Sequence, residues 1–235
     1  MSLQAKIRHG YENSLKLLKL CGLLLDENNL RPLTFSPSKF SSEFISASQS
    51  DDYNRIYKTA RNHHDYDILL IDQSIFQFSY DLDDNEQIQV IRYAYYETPL
   101  DHPTYQEFLI DIGLTYEECG ESFYEDYEQV ISESHLKNAV TPIRYDYDLP
   151  LYRKVNHHPA SHIHIGHSNE IRIPMNYILT PLGFVAFIIR QIYRNNWLQA
   201  LSNDKFYSLY KTLKTCEILN EDNFTREEKE DFYII

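Results

Sequence analysis

Residues 67–96, DILLIDQSIFQFSYDLDDNEQIQVIRYAYY, decide the fold. Ile75, Gln77 and Ser79 alternate with Phe76, Phe78 and Tyr80, and because successive strand residues point to opposite faces, this is an extended pattern with one aromatic side. DLDDNE (81–86) is turn chemistry, since Asp and Asn side chains hydrogen-bond nearby backbone. IQVIRYAYY (88–96) resumes a strand rich in β-branched and aromatic residues. The three parts predict a β-hairpin.

Downstream, the extended pattern returns at TPIRYDYD (141–148) and, after a loop containing Pro150, at SHIHIG (161–166), with EIRIP (170–174) as a short continuation closed by Pro174. Upstream, Ile7, Leu15, Leu18 and Leu25, widened by Leu17, Leu20 and Leu24, recur at helical spacing, so residues 3–25 predict an amphipathic helix. LRPLTFSPSKFSSEF (30–44) reads as an irregular connector. A second helix is expected from Asp51 or Asp52 as N-cap through residues 59–64. From Thr104 to His135 the chain carries Glu107, Asp111, Glu117, Glu118, Glu121, Glu125, Asp126, Glu128 and Glu133 among aromatics, which predicts helix with a solvated acidic face. Thr180 as N-cap and Pro181 at the first helical position open a long apolar helix over 182–201. A further helix is expected from about Asp204 to Leu219.

This order of elements predicts a single α+β domain with a largely antiparallel β-sheet packed by helices. It divides into a helical part (1–65), a sheet with an acidic helical insert at 104–137 (66–175), and C-terminal helices (176–235). The hydrophobic fraction of 43%, with 12 Phe and 20 Tyr, excludes disorder. Lys and Arg number 22 against 35 Asp and Glu, and the charge of -13 disfavours generic attraction to a phosphate backbone. Any nucleic-acid contact is therefore expected to be local. Cys21, Cys119 and Cys216 form no Cys-x-x-Cys spacing, which points away from a disulfide framework or thiolate zinc site and toward a reducing cytoplasm. The amino terminus lacks the pattern of a signal peptide, and no apolar run reaches the length of a membrane span. With 6 glycines, no Gly-rich phosphate loop is expected, and there is no G-x-S-x-G elbow.

Five of the 10 histidines lie in HHPASHIHIGH (157–167). On a strand, His162 and His164 share one face while Ile163 and Ile165 take the other. In IRYDYD the same parity sets Arg144, Asp146 and Asp148 opposite Ile143, Tyr145 and Tyr147. Antiparallel pairing of the two strands would gather one guanidinium, carboxylates and imidazoles on a polar face. Three uses are open. A divalent metal would take His162 and His164, with a third ligand from Asp146, Asp148, His158 or His167. Metal-free phosphodiester chemistry would use the imidazoles as acid and base, with Arg144 or Arg172 on the phosphate. A structural reading makes the face a hydrogen-bonded polar sheet surface. Elsewhere, His63 and His64 read as a helix end, Asp67 and Asp72 as turn residues, Gln73 and Gln77 as polar residues near an apolar strand, Gln77 on its exposed face or as a hydrogen-bonder of a site, and Tyr93, Tyr95 and Tyr96 as core rather than a base-stacking platform.

IRYDYD followed by HHPASHIHIG resembles TumE-type bacterial toxins, whose pattern is an Arg-Tyr-Asp strand, a histidine-bearing loop and a His-x-His strand. The wider run from YDILLIDQSIFQFSY through RYAYY to SHIHIG and RIP resembles an uncharacterised bacterial family known as a domain of unknown function. The toxin resemblance spans about residues 75–195 and implies importance for Arg144, Asp146, His162 and His164. It also implies a cytoplasmic toxin-antitoxin or defence protein with a small antitoxin as partner. Where those toxins carry Asn and Lys, this chain has Tyr147 and Ile163, and the missing Lys removes a phosphate contact.

The expected function is a toxin-like or defence-associated ribonuclease or nucleotide-processing enzyme, with His162, His164, Arg144 and Asp146 catalytic. His162, His164, Asp148 and His158 are its candidate ligands for a divalent metal. The rival is a noncatalytic accessory module, whose acidic stretch at 117–133 docks a basic protein partner and whose histidine cluster is structural.

Overall fold

A computed structural model describes residues 2–28, 40–153, 158–168, 171–212, 217–231 and 233. Strands β3 (Ile75–Leu82) and β4 (Ile88–Tyr96) pair antiparallel from Ile75 opposite Tyr96 to Leu82 opposite Ile88. Their turn is held by Asp83, whose Oδ1 accepts from the backbone N–H of Asn85 and Gln87. This hairpin is the centre of a seven-stranded sheet, ordered β1 (Leu24–Glu27), β2 (Ile68–Leu70), β3, β4, β7 (Ile143–Asp148), β8 (Ser161–Ile165) and β9 (Arg172–Pro174). Every neighbouring pair is antiparallel.

Strand parity sorts the side chains. Phe76, Phe78, Tyr93, Tyr95, Tyr145 and Ile163 are buried on one face, under α1 (Leu3–Leu20) and α7 (Pro181–Ile192). Tyr11 of α1 meets Phe78 edge-on at 5.5 Å, and Phe184 of α7 lies 6.1 Å from Phe76 and 5.8 Å from Tyr93. Each such aromatic side chain contributes about 1.5–3 kcal/mol by leaving water. The polar tip of Tyr145 is satisfied inside this layer: its hydroxyl bonds with Ser161 Oγ at 2.9 Å and accepts from Leu179 N–H at 3.0 Å. Helices α1 and α7 approach closely at Gly10, where a Cβ would lie 3.0 Å from Pro181 Cδ.

On the other face, α2 (Ser42–Ala47) and α3 (Tyr53–Asn62) pack Phe44, Tyr53, Ile56 and Tyr57 against Leu69, Ile75 and Tyr96. Asp52 caps α3 through Arg55 N–H, in line with the sequence. This cluster covers the β2–β3–β4 end. Farther along the same face stand the polar residues of β7 and β8.

Between β4 and β7 the chain forms β5 (Leu100–Asp101), α4 (Tyr105–Asp111), α5 (Tyr116–Cys119), α6 (Tyr124–Glu133) and β6 (His135–Leu136). β5 and β6 pair to clamp the base of this acidic insert, which has its own small core of Phe108, Leu109 and Tyr127. It is three short helices rather than one, because Gly113 and Gly120 take positive φ angles of 78° and 56°. After β9 come β10 (Tyr177–Ile178), α7, α8 (Arg194–Ala200), α9 (Asp204–Thr212), β11 (Glu217–Ile218) and α10 (Arg226–Lys229).

Several expectations are corrected. The helix predicted over 182–201 breaks at Tyr193, whose hydroxyl donates to Asp72 Oδ2 at 2.7 Å and bonds with Tyr95 at 2.8 Å. That tertiary anchor overrides local propensity. The helix expected to reach Leu219 is described as far as Thr212 and does not extend to 217–218, where Glu217–Ile218 pairs with Tyr177–Ile178 instead. Residues 172–174 do not continue β8 but lie antiparallel beside it as β9, and Gly166 and Ser168, just after β8, have positive φ. Most of the connector at 30–44 lies outside the described residues, as do His157 and Cys216. Cys21 and Cys119 are free thiols. Among the described residues no helix is long and apolar enough to cross a membrane.

Candidate metal centre

The antiparallel register of β7 and β8 sets Asp146 opposite His162 and Arg144 opposite His164, and β9 places Arg172 opposite His164 on its other side. Ile163 fills the aromatic core, so its neighbours must project to the opposite face. There His162 is 1% and His164 6% exposed, while Arg144 and Arg172 are exposed.

The two imidazoles converge. His162 Nε2 lies 3.0 Å from His164 Nε2, which lies 3.2 Å from Asp146 Oδ2, and His162 Nε2 is 4.0 Å from that same oxygen. His162 Nδ1 lies 2.9 Å from the Pro159 carbonyl. A carbonyl only accepts, so Nδ1 carries the proton and Nε2 presents a lone pair toward His164. One proton on His164 Nε2 then faces two acceptors. Burial pushes His162 down to about 4, against the pull of the Asp146 carboxylate, so it is neutral at pH 7. Burial alone would raise the Asp146 carboxyl, but the His164 hydrogen bond and the Arg144 charge outweigh it and hold the group below its ordinary range.

A neutral imidazole with a lone pair, a second imidazole and an ionised carboxylate are the donors a divalent transition metal takes. The three atoms all lie within 4.8 Å of one another. Ligands bonded at 2.0–2.1 Å stand about 3.4 Å apart around a tetrahedral ion and about 3 Å apart on one face of an octahedral one. The observed separations bracket those edges. Pro159 supplies the second hydrogen bond that fixes the tautomer of a ligating histidine, and this backbone acceptor has no signature in the sequence.

Other candidates are placed elsewhere. Asp148 accepts from Arg92 Nη2 at 3.2 Å and from Leu151 N–H at 3.0 Å, and does not join the cluster. The His158 ring stands perpendicular to His162 at 5.1 Å, with a buried Nδ1 that has no hydrogen-bond partner among the described residues, but it is not one of the three convergent groups. His167 donates to the Asp51 carbonyl at 3.0 Å and packs on Tyr53, tying the residues just after β8 to α3. His63 caps α3 and His64 follows it with positive φ. Asp67 accepts from Phe78 N–H, and Asp72 accepts from Ser74 in the β2–β3 turn. Gln77, buried rather than exposed, donates to the Asp65 carbonyl. Tyr93 and Tyr95 are core, and Tyr96 packs with α2 and α3.

Comparison with curated proteins and with solved structures finds no match. The resemblance to TumE-type toxins gains no support from the comparisons. Residues 25–235 match the family described as an uncharacterized conserved protein (DUF2290). The chain therefore belongs to the DUF2290 family, a domain of unknown function as the run from the central hairpin through SHIHIG led us to expect.

Proposed function

We propose that the protein is a metal-dependent phosphodiester hydrolase acting on RNA or a nucleotide, with His162, His164 and Asp146 as metal ligands. The convergence of their three donor atoms carries this reading. Acid–base catalysis by the imidazoles alone fits less well. Two such groups must reach the attacking and leaving oxygens from different sides of the phosphate, whereas these nitrogens face each other at 3.0 Å. An imidazole pushed down to about 4 is also a poor proton donor at neutral pH.

A divalent cation with three protein ligands keeps a position for water and would supply a Lewis acid and a hydroxide at neutral pH. Arg144 and Arg172, exposed on either side of His164, would bind the phosphate oxygens, for which the guanidinium fork is suited. Asp146 is both ligand and electrostatic partner of Arg144. The toxin-like or defence-associated role, the cytoplasmic setting and a small antitoxin as partner rest on the resemblance of IRYDYD and SHIHIG to TumE-type toxins.

The test is hydrolysis of bis(p-nitrophenyl) phosphate and of an RNA oligonucleotide by chelator-treated protein resupplied with Mn, Zn or Fe(II). Metal-dependent turnover lost in Asp146→Asn supports the proposal; equal turnover by wild type and variant, or none with any metal, contradicts it. The rival reading is a structural cluster in a noncatalytic accessory subunit. It draws on the burial of both rings and on the single proton that suffices between them. It expects His164→Ala to lose stability with no metal bound in either form.

A further inference from the structure

The acidic insert carries nine carboxylates and no Lys, Arg or His between residues 104 and 134. Where it meets the β1–β2 edge of the sheet lies a cavity of about 430 Å³ lined by Tyr105, Tyr116, Tyr124 and Tyr127, with Gln73 and Glu121. That volume falls within the range of ligand pockets.

The tyrosines pack against one another, Tyr105 also meeting Tyr127 at 5.3 Å. Tyr105 meets Tyr116 at 87° and Tyr124 at 61°, with centroids 6.3 and 5.4 Å away, and Tyr124 meets Tyr127 at 65° and 5.8 Å. Tyr105 donates its hydroxyl to the Gly120 carbonyl and Tyr127 to the Pro103 carbonyl, each at 2.9 Å. Backbone acceptors thus hold these rings, leaving their negative faces as the recognition element. Gln73 is 5% exposed. Its Oε1 accepts from Arg61 Nη2 at 2.9 Å, which fixes the orientation of the amide, and the other end of that amide is directed to the Tyr124 hydroxyl.

We propose that this cavity binds a lysine or arginine side chain carried on a basic peptide segment. The cation lies against the tyrosine faces and near Glu121. Lys19 is the one basic residue of the lining; it opposes the cation, as does Arg61 behind Gln73. This site is separate from the His162–His164–Asp146 cluster and does not depend on its metal.

The test is calorimetric titration of the full-length protein with the capped tripeptides Gly-Arg-Gly, Gly-Lys-Gly and the neutral Gly-citrulline-Gly. A cation on an aromatic face is worth about twofold to thirtyfold in affinity, so the charged peptides are expected to bind about tenfold more tightly than the neutral one. Tyr124→Phe keeps the ring and should retain that preference; Tyr124→Leu should reduce it about fivefold. Lys19→Met, an exposed replacement, should tighten only the charged peptides. Equal binding of charged and neutral peptides, no saturable binding of any, or a preference unmoved by both Tyr124→Leu and Lys19→Met overturns the proposal. Near-UV circular dichroism of Tyr124→Leu separates loss of the ring from loss of the fold.

Discussion

Replacing His162 by Gln should flatten the acid dependence of stability in the metal-free protein. The unfolded imidazole titrates near 6.5, whereas in the folded chain burial pushes His162 down to about 4. Between those values the unfolded chain binds a proton that the folded chain does not, so stability rises with pH. The contribution is fully present above about pH 6.5 and is lost as pH falls toward 4. Its steepest slope is one proton, about 1.4 kcal/mol per pH unit, and from pH 7 to 4.5 it amounts to roughly 2.5 kcal/mol. The Asp146 carboxyl, held below its ordinary range, weakens the fold mainly in a more acid window, below about pH 4. The histidines that do not touch His162 are shared by both proteins and cancel in the difference. Urea unfolding of chelator-treated wild type and His162→Gln across pH 4.5–7.5 measures it. Wild type should lose about 2–3 kcal/mol more than the variant over that range. Parallel curves would refute the claim that His162 is buried and neutral.

Three further outcomes follow from the packing and the site. Gly10→Ala places a Cβ 3.0 Å from the rigid ring of Pro181 and 3.1 Å from Thr180 Cβ; despite the gain in helix propensity, thermal unfolding should show a net loss of about 1–2 kcal/mol. Thr180→Ala removes the side chain that accepts from Gly183 N–H at the start of α7, and should cost about 1 kcal/mol in urea unfolding. Arg144→Ala, at an exposed position, should leave stability within about 0.5 kcal/mol. It should nevertheless weaken inorganic phosphate binding to the metal-loaded protein about tenfold, as read by calorimetry.

Alternation made the faces of the sheet legible. The parities of Phe76 and Phe78, of Tyr145 and Tyr147, and of His162 and His164 follow from period two alone, and each aromatic or isoleucine partner lies in the core. Pairing Asp146 rather than Asp148 with His162 depends on the register of β7 and β8, which alternation leaves open because a shift by two residues preserves every face. The break at Tyr193 was illegible for a different reason. Its hydroxyl answers to Asp72 and Tyr95, more than ninety residues away in sequence, while the local pattern is continuous helix. Gly113 and Gly120, by contrast, are visible punctuation in the acidic insert, and they mark where its helices break. The tyrosine-lined cavity had no sequence signal beyond aromatic richness, since Gln73 reaches it from a different element.

The most direct measurement is the metal content of untagged protein by elemental mass spectrometry, in wild type and in Asp146→Asn and His162→Ala,His164→Ala variants whose folding is verified by circular dichroism. Near-stoichiometric divalent metal in wild type, weakened in the first variant and absent from the second, is the predicted result. Folded wild-type protein that takes up no Mn, Fe(II) or Zn even when these are supplied at equilibrium would contradict a metal centre at His162, His164 and Asp146.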